Sequence, residues 1–253
     1  AGNRSTATVN AAGEVETQTD PLTHATKFEY DGVGRPAKVT DALGNATVAE
    51  YDLAGRKTAA KDLNSSGTVL RTYGFEYDDA SNLIGQTSPE GHVTRRSYDA
   101  TDQLTKLVEP VSATKTITTT FGYNAAGNQT RTTDGRGNAF LTTYNSLGRV
   151  ESRIEPSTQA HPDLADRTWT MSYDAAGNQV GVLQPGGVQI TNTYDNLGRL
   201  VTEAGSGAEA ATQSNTFGYD LAGRRTSAGD LNFTFNDRGL LLKTAKTGSS
   251  SDL

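Results

Sequence analysis

A chain of 253 residues with 34% hydrophobic side chains, 7% aromatics and 27 glycines has little material for a solid core, and suits a sheet that is wet on at least one face. The net charge of −6 is mild and scattered, which excludes a basic nucleic-acid surface. The lack of cysteine excludes disulfides and thiolate metal sites, and no run approaches the roughly 18 apolar residues of a membrane span.

The N-terminus, Ala1-Gly2-Asn3-Arg4-Ser5, has no signal-peptide pattern and starts in mid-pattern, as an excised piece or a processed product would. From about Thr26 the chain becomes periodic. The string Tyr30-Asp31-Gly32-Val33-Gly34-Arg35 returns at Tyr51, Tyr123, Tyr144, Tyr173, Tyr194 and Tyr219. Each copy keeps a glycine (Gly55, Gly127, Gly148, Gly177, Gly198 and Gly223) followed by Arg or Asn. Looser copies start at Tyr77, ending in Ser81-Asn82, and at Tyr98, ending in Asp102-Gln103; a frayed one reads Phe235-Asn236-Asp237-Arg238-Gly239. Nine of the ten tyrosines anchor this motif, and only Tyr73 does not. An internal repeat of this kind settles the class before any other argument.

The steps between anchors are 21, 26, 21, 25, 21, 29, 21 and 25 residues, so two anchors form a unit of about 47 residues. Each short step carries a second turn near its middle: Asp41-Ala42-Leu43-Gly44-Asn45, Pro89-Glu90-Gly91-His92, Asp134-Gly135-Arg136-Gly137-Asn138 and Pro185-Gly186-Gly187. Long steps carry looser connectors at 62–67, 109–115, 155–166 and 203–210. The arms between turns run six to nine residues and are rich in Thr, Val, Ile and aromatics, which reads as strand. Helix is not expected; 208–212 would make one turn at most. Ordered repeats are expected over about 26–242 of a single array, with 243–253 as a flexible tail.

Asp or Asn opens a type I turn, and glycine three residues later supplies the positive φ that closes a three-residue hairpin with a bulge. In that register Asp195 faces Arg199. In a four-residue loop Tyr194 would face Arg199 and stack on it, and the sequence leaves both open. Residues two apart on a strand share a face. Phe28, Phe75, Phe121, Met171 and Phe217 therefore join the long-step anchors on their face, where the short-step anchors have Ala49, Arg96, Thr142 and Asn192. About two strands per anchor gives close to twenty in one antiparallel meander, and twisted sheets of that size curl or spiral. The fold class is all-β.

Tyr-Asp-x-x-Gly-Arg at 21-residue spacing, with Asp-x-x-Gly-Asn between, resembles the YD repeats of Rhs proteins, of the BC components of Tc toxins and of teneurins. The likeness runs from about Thr26 to Leu242. It implies a β-strip that spirals into a hollow shell, of which ten repeats would form only a section of wall. In bacterial members the shell encloses toxin cargo; in teneurins it belongs to an adhesion receptor, and the repeats have been associated with carbohydrate binding. Bacterial shells end in Asp-Pro-x-Gly-Leu, linked to self-cleavage. Here Asp237-Arg238-Gly239-Leu240 lacks the proline and reads as a shortened closing repeat.

Other candidates weigh less. Asp31, Asp52, Asp99, Asp174, Asp195 and Asp220 offer one carboxylate per turn, whereas calcium loops gather several. His24, His92 and His161 lack metal spacing, and 205–210 matches a dinucleotide fingerprint without a following helix. Asn45, Asn64, Asn128 and Asn232 open glycosylation sequons. Arg35, Arg56, Arg149, Arg199 and Arg224 beside the aromatic rim, together with Trp169, could contact sugars; Trp169 and Arg199 are the named contacts. The leading expectation is a non-enzymatic wall section of a secreted or surface-delivered bacterial protein. Its partners would be the remaining repeats and toxin cargo; no cofactor, metal, nucleic acid or membrane span is called for. The runner-up is a carbohydrate-binding adhesion module, and the third reading makes Asp237 a remnant catalytic acid.

Overall fold

The computed structural model describes residues 4–112, 114–207 and 214–247. Among them are 22 strands, from Thr6–Val9 to Leu241–Lys246, in an antiparallel meander that is not closed. The only helical segments described are two 3-10 turns, Ala165–Arg167 and Pro185–Gly187. The 208–212 stretch and the last residues of the expected tail lie outside the described residues.

The array starts earlier and ends later than 26–242. Strands Thr6–Val9 and Val15–Thr19 pair around a turn at 10–14, in which Val9 holds the anchor's place. At the other end Leu241–Lys246 carries the pairing four residues past the expected boundary. Several connectors are shorter than the sequence suggests. Lys57–Leu63, Leu104–Pro110 and Leu200–Ser206 extend into them because cross-strand pairing continues past the Ser- and Gly-rich composition.

The chain divides into two compact units, Ala1–Phe121 and Gly122–Leu253. In the first, Phe28 pairs with Val39, Val39 with Thr47, and Ala49 with Ala60; then come Ala60 with Tyr73, Phe75 with Gln86, and Arg96 with Leu107. Directly paired residues share a face, so Tyr30, Tyr51, Tyr77 and Tyr98 all stand on the side that carries Phe28, Val39, Ala49, Ala60, Tyr73, Phe75 and Leu107, with Thr47, Gln86 and Arg96 among them. The reverse side carries Lys38 with Glu29 at 2.7 Å, Lys61 with Glu50, and Arg95 with Glu76 at 3.2 Å. In the second unit the same parity puts Phe140, Trp169, Met171, Val182 and Ile190 with Tyr144, Tyr173, Tyr194 and Tyr219. There the reverse side is threonine- and serine-rich, with hydroxyl pairs Thr143–Ser152 at 2.8 Å and Thr193–Thr202 at 2.6 Å.

Each unit is a single layer. Among the described residues Ala46, 8% exposed, is the only buried apolar side chain. The strands are held by their ladders, by cross-strand pairs and by the turn rims.

The anchor hairpins also contain a second irregularity. Tyr194 pairs with Leu200 but Thr193 pairs with Thr202, so Val201 is an extra residue on the outgoing strand. The same shift occurs beside Tyr30, Tyr51, Tyr77, Tyr98, Tyr144, Tyr173 and Tyr219. Hairpins at the opposite rim mostly pair without it, as Thr40 with Ala46 and Leu183 with Gln189 do. Bulges bend a strand and increase its twist, and here they gather along one rim.

Candidate functional site

The anchor rim is built from one five-residue turn. Asp195 N–H donates to Arg199 O at 3.0 Å and Gly198 N–H to Asp195 O at 2.9 Å, which fixes the three-residue loop and puts Asp195 opposite Arg199. Gly198 sits at φ 73°, where a Cβ is strained. The Asp195 carboxylate accepts from the amides of Leu197 at 2.9 Å and Arg199 at 3.0 Å, and from Arg199 Nε at 2.7 Å. Those bonds, the Arg199 amide first, hold its pKa below the usual carboxylate range. The glycines at 34, 55, 127, 148, 177 and 223 also have positive φ, and Ser81 and Asp102 take the same conformation without being glycine.

The arginine then reaches into the next turn. Arg199 lies over the ring of Tyr219 at 4.6 Å, not over Tyr194, and donates Nη1 to Asp220 O at 3.3 Å. Arg35 does the same to Tyr51 and Asp52 O, Arg56 to Tyr77 and Asp78 O, and Arg224 to Phe235 and Asn236 O. Where Asn replaces Arg the bridge is shorter: Asn82 Nδ2 donates to Asp102 Oδ1 at 2.6 Å.

The tyrosine hydroxyls complete the rim. Tyr219 donates to Leu200 O at 2.9 Å, and Leu200 sits at the bulge of the preceding anchor hairpin. A bulge interrupts the ladder, and an acceptor there needs another donor. Tyr30, Tyr51, Tyr77, Tyr98, Tyr144, Tyr173 and Tyr194 donate in the same way, at 2.8 to 3.2 Å, to Val15, Pro36, Lys57, Leu83, Gln129, Val150 and Gln179. The anchors are half-buried. Phenol and guanidinium groups on this rim are thus engaged by neighbouring turns, which leaves few of them for an external ligand. The sequence pointed to the glycine bulge that closes the turn but not to this second one, since one extra residue beside each turn leaves the tyrosine spacing untouched.

The remaining candidates are dispersed. The aspartates at 31, 52, 99, 174, 195 and 220 each serve their own turn, and no cluster able to hold a metal occurs among the described residues. His24 pairs with Asp20 at 2.9 Å in its own turn, and the amides of His92 and His161 bond to Ser88 and Thr158 in theirs. Asn45, Asn64 and Asn232 bond within turns or to an adjacent strand. Asp237 lies in the turn 236–240, closed by Gly239 N–H to Asn236 O at 2.9 Å, so the string near Leu240 has the hairpin geometry of a closing repeat. Trp169 stands apart from the rim. With Phe140, Thr142, Arg153, Glu155 and Met171 it lines an open cleft of about 370 Å³ in the second unit.

Fold and rim define a class: a single-layered β-repeat ribbon whose turns are cross-linked by Tyr, Arg and Asp. The chain belongs to the RHS Repeat family, whose model matches residues 9–46, 30–69, 77–114 and 173–210, more than half of the sequence. Among solved structures it is similar to TcdB2-TccC3 without its hypervariable C-terminal region, at 12% identity and a TM-score of 0.50, covering 99% of this chain and 18% of that one. A second is the Photorhabdus luminescens Tc holotoxin pore with a mutated TccC3, at 13% identity and a TM-score of 0.46, again with 99% and 18% covered. The chain spans less than a fifth of the length of these chains. No curated protein matches.

Proposed function

We propose that this chain is a non-catalytic section of an Rhs-type wall, which encloses or presents cargo as part of a secreted or surface-delivered protein. The observation that carries the reading is the division of labour in each unit. The repeated residues are spent on tying turn to turn, while the aromatic side chains gather on one sheet face and the charge and hydroxyl pairs on the other. The recurrent bulge beside the anchors favours curvature toward one side, as a wall requires. Membership of the RHS Repeat family suits a cargo-bearing parent, as the sequence resemblance implies. Protease protection of the intact protein tests the reading. Segments outside the repeats are expected to survive for as long as the sheet is folded; their degradation at the rate of a free peptide would contradict enclosure.

One observation favours carbohydrate binding as a second reading. Trp169 and Phe140 flank the open cleft with Arg153 and Glu155 beside them, an aromatic platform with polar groups at its edge. Arg199, named with Trp169 from the sequence, is instead occupied by Asp195 and Tyr219. A glycan array followed by Trp169 fluorescence titration separates the readings: no saturable change with any glycan removes the second.

A further inference from the structure

One arginine-closed turn on the anchor rim lacks the carboxylate that the other four have. Arg35, Arg56, Arg199 and Arg224 are each held by the aspartate that opens their turn, at 2.6 to 2.7 Å. The turn of Arg149 opens with Asn145. Asn145 Oδ1 accepts the amides of Leu147 and Arg149, both at 3.0 Å, so the turn keeps its shape. Those two bonds fix which end of the side-chain amide is oxygen. Nδ2 therefore takes the place of the aspartate oxygen that binds arginine in the sister turns. Two donors, Nδ2 and the guanidinium, belong to one turn that brings no acid for either.

The guanidinium shows the consequence. Its Nη1, the atom that elsewhere donates to a carbonyl of the next turn, is buried and has no partner. A Cβ on Gly177 in the next turn would stand 1.9 Å from Arg149 Nη2, whereas one on Gly55 would stand 3.3 Å from Arg35 Nη1. The side chain thus leans onto the following turn, 5.7 Å from the Tyr173 ring centre. The turn before supplies no acid. It opens with Asn124 and closes with Asn128, whose Nδ2 lies 4.0 Å from where a Cβ on Gly148 would stand. Buried donors are normally satisfied, and the acceptor that a guanidinium beside an amide calls for is an anion.

We infer that Asn145 and Arg149 form a docking site for a carboxylate, the side chain of an aspartate or glutamate on another polypeptide segment. The rim itself carries the chemistry. At 10–14 an asparagine also opens the turn, and its Nδ2 donates to the Glu14 carboxylate at 2.8 Å. In the other arginine turns Nε donates to a carboxylate oxygen. Asn145 and Arg149 join both donor types, and one carboxylate accepts from both at once. The two residues are half-buried, so the contact is weak on its own. Its use is to fix the register of an acidic segment that other contacts hold near the rim. This inference is independent of what the wall encloses and of the cleft at Trp169.

Nuclear magnetic resonance titration of the full chain with blocked tripeptides tests it. Acetyl-Gly-Asp-Gly-amide is expected to shift the Arg149 Nε–H resonance and the amides of Leu147 and Arg149 saturably. Acetyl-Gly-Asn-Gly-amide is expected to bind about fivefold more weakly, since it lacks the charge. Asn145→Asp supplies an internal acid and is expected to abolish the response with the fold intact. Asp195→Asn is expected to create the same response at Arg199. The inference is overturned if the aspartyl peptide causes no saturable shift, or if the response survives Asn145→Asp. Inorganic phosphate acting where the aspartyl peptide does not would assign a phosphate site and also overturn it. A response at Arg149 that Asp195→Asn fails to reproduce at Arg199 would overturn the pairing of asparagine with arginine as its basis.

Discussion

Arg199 is bound by Asp195 at 2.7 Å in its own turn, while its guanidinium lies 4.6 Å from the centre of the Tyr219 ring in the next. One side chain thus sets the shape of its hairpin and fastens that hairpin to its neighbour. Arg199→Ala is expected to destabilise by roughly 1–2 kcal/mol, the sum of a half-exposed ion pair and a cation–π contact. A double-mutant cycle with Tyr219→Leu should return a coupling of about 0.5–1 kcal/mol. Zero coupling would mean that the stack contributes nothing.

The hydroxyl of each anchor has a separate role. Tyr219→Phe keeps the ring but leaves Leu200 O without its donor, at a cost of about 1 kcal/mol in a chemical-denaturation midpoint. Phe235 occupies the next anchor position without a hydroxyl, over Arg224 at 5.0 Å. Phe235→Tyr is accordingly expected to stabilise by about 0.5–1 kcal/mol, through a bond to the carbonyl of Arg225.

Backbone conformation makes a third prediction. Ser81 and Asp102 hold φ 73° and 61° where most repeats have glycine. Ser81→Gly should raise stability by up to about 1 kcal/mol, because an L side chain costs roughly 1–2 kcal/mol there and glycine returns part of that in unfolded-state entropy. Gly198→Val should cost a few kcal/mol, since a β-branched residue resists positive φ. Equal midpoints for both variants would remove the turn argument.

Arg149 is the exception on the rim. Its turn opens with Asn145 in place of aspartate; it lies 5.7 Å from the Tyr173 ring centre, and its buried Nη1 has no hydrogen-bond partner. Asn145→Asp would supply the missing carboxylate and is expected to stabilise by about 0.5–1 kcal/mol at neutral pH. That gain should vanish in acid, when the new carboxylate protonates.

Acid should act on the whole rim. Asp31, Asp52, Asp195 and Asp220 have lowered pKa values because amides and arginines of their own turns bind the anion. The unfolded chain therefore binds protons first as pH falls. The contribution is complete above the unfolded carboxylate value of about 3.9 and is lost as pH drops through the lower folded values. Unfolding midpoints should be flat from neutral to about pH 5 and fall below pH 4. A midpoint that rises below pH 4 would contradict the carboxylate assignment.

The sequence shows the turns plainly, because Tyr, Asp, Gly and Arg each have a local reason to sit where they do. It shows the two faces as well, since Phe28 and Met171 share parity with their anchors. It misses the strands around 10–14, where Val9 stands for tyrosine and no aromatic marks the start. It also offers only two partners for Arg199, both inside the turn. The third, Tyr219, is 20 residues on and becomes a neighbour only once the intervening strands have paired. The second bulge, at Val201 and its equivalents, is hidden for a related reason: it shifts pairing without disturbing the period.

A cryo-electron microscopy map of the intact protein that contains this section tests the central claim most directly. The account predicts a single-layered β-ribbon that bounds a cavity, with the tyrosine turns along one rim. The same strands packed face to face against a second sheet, with no cavity beside them, would contradict it.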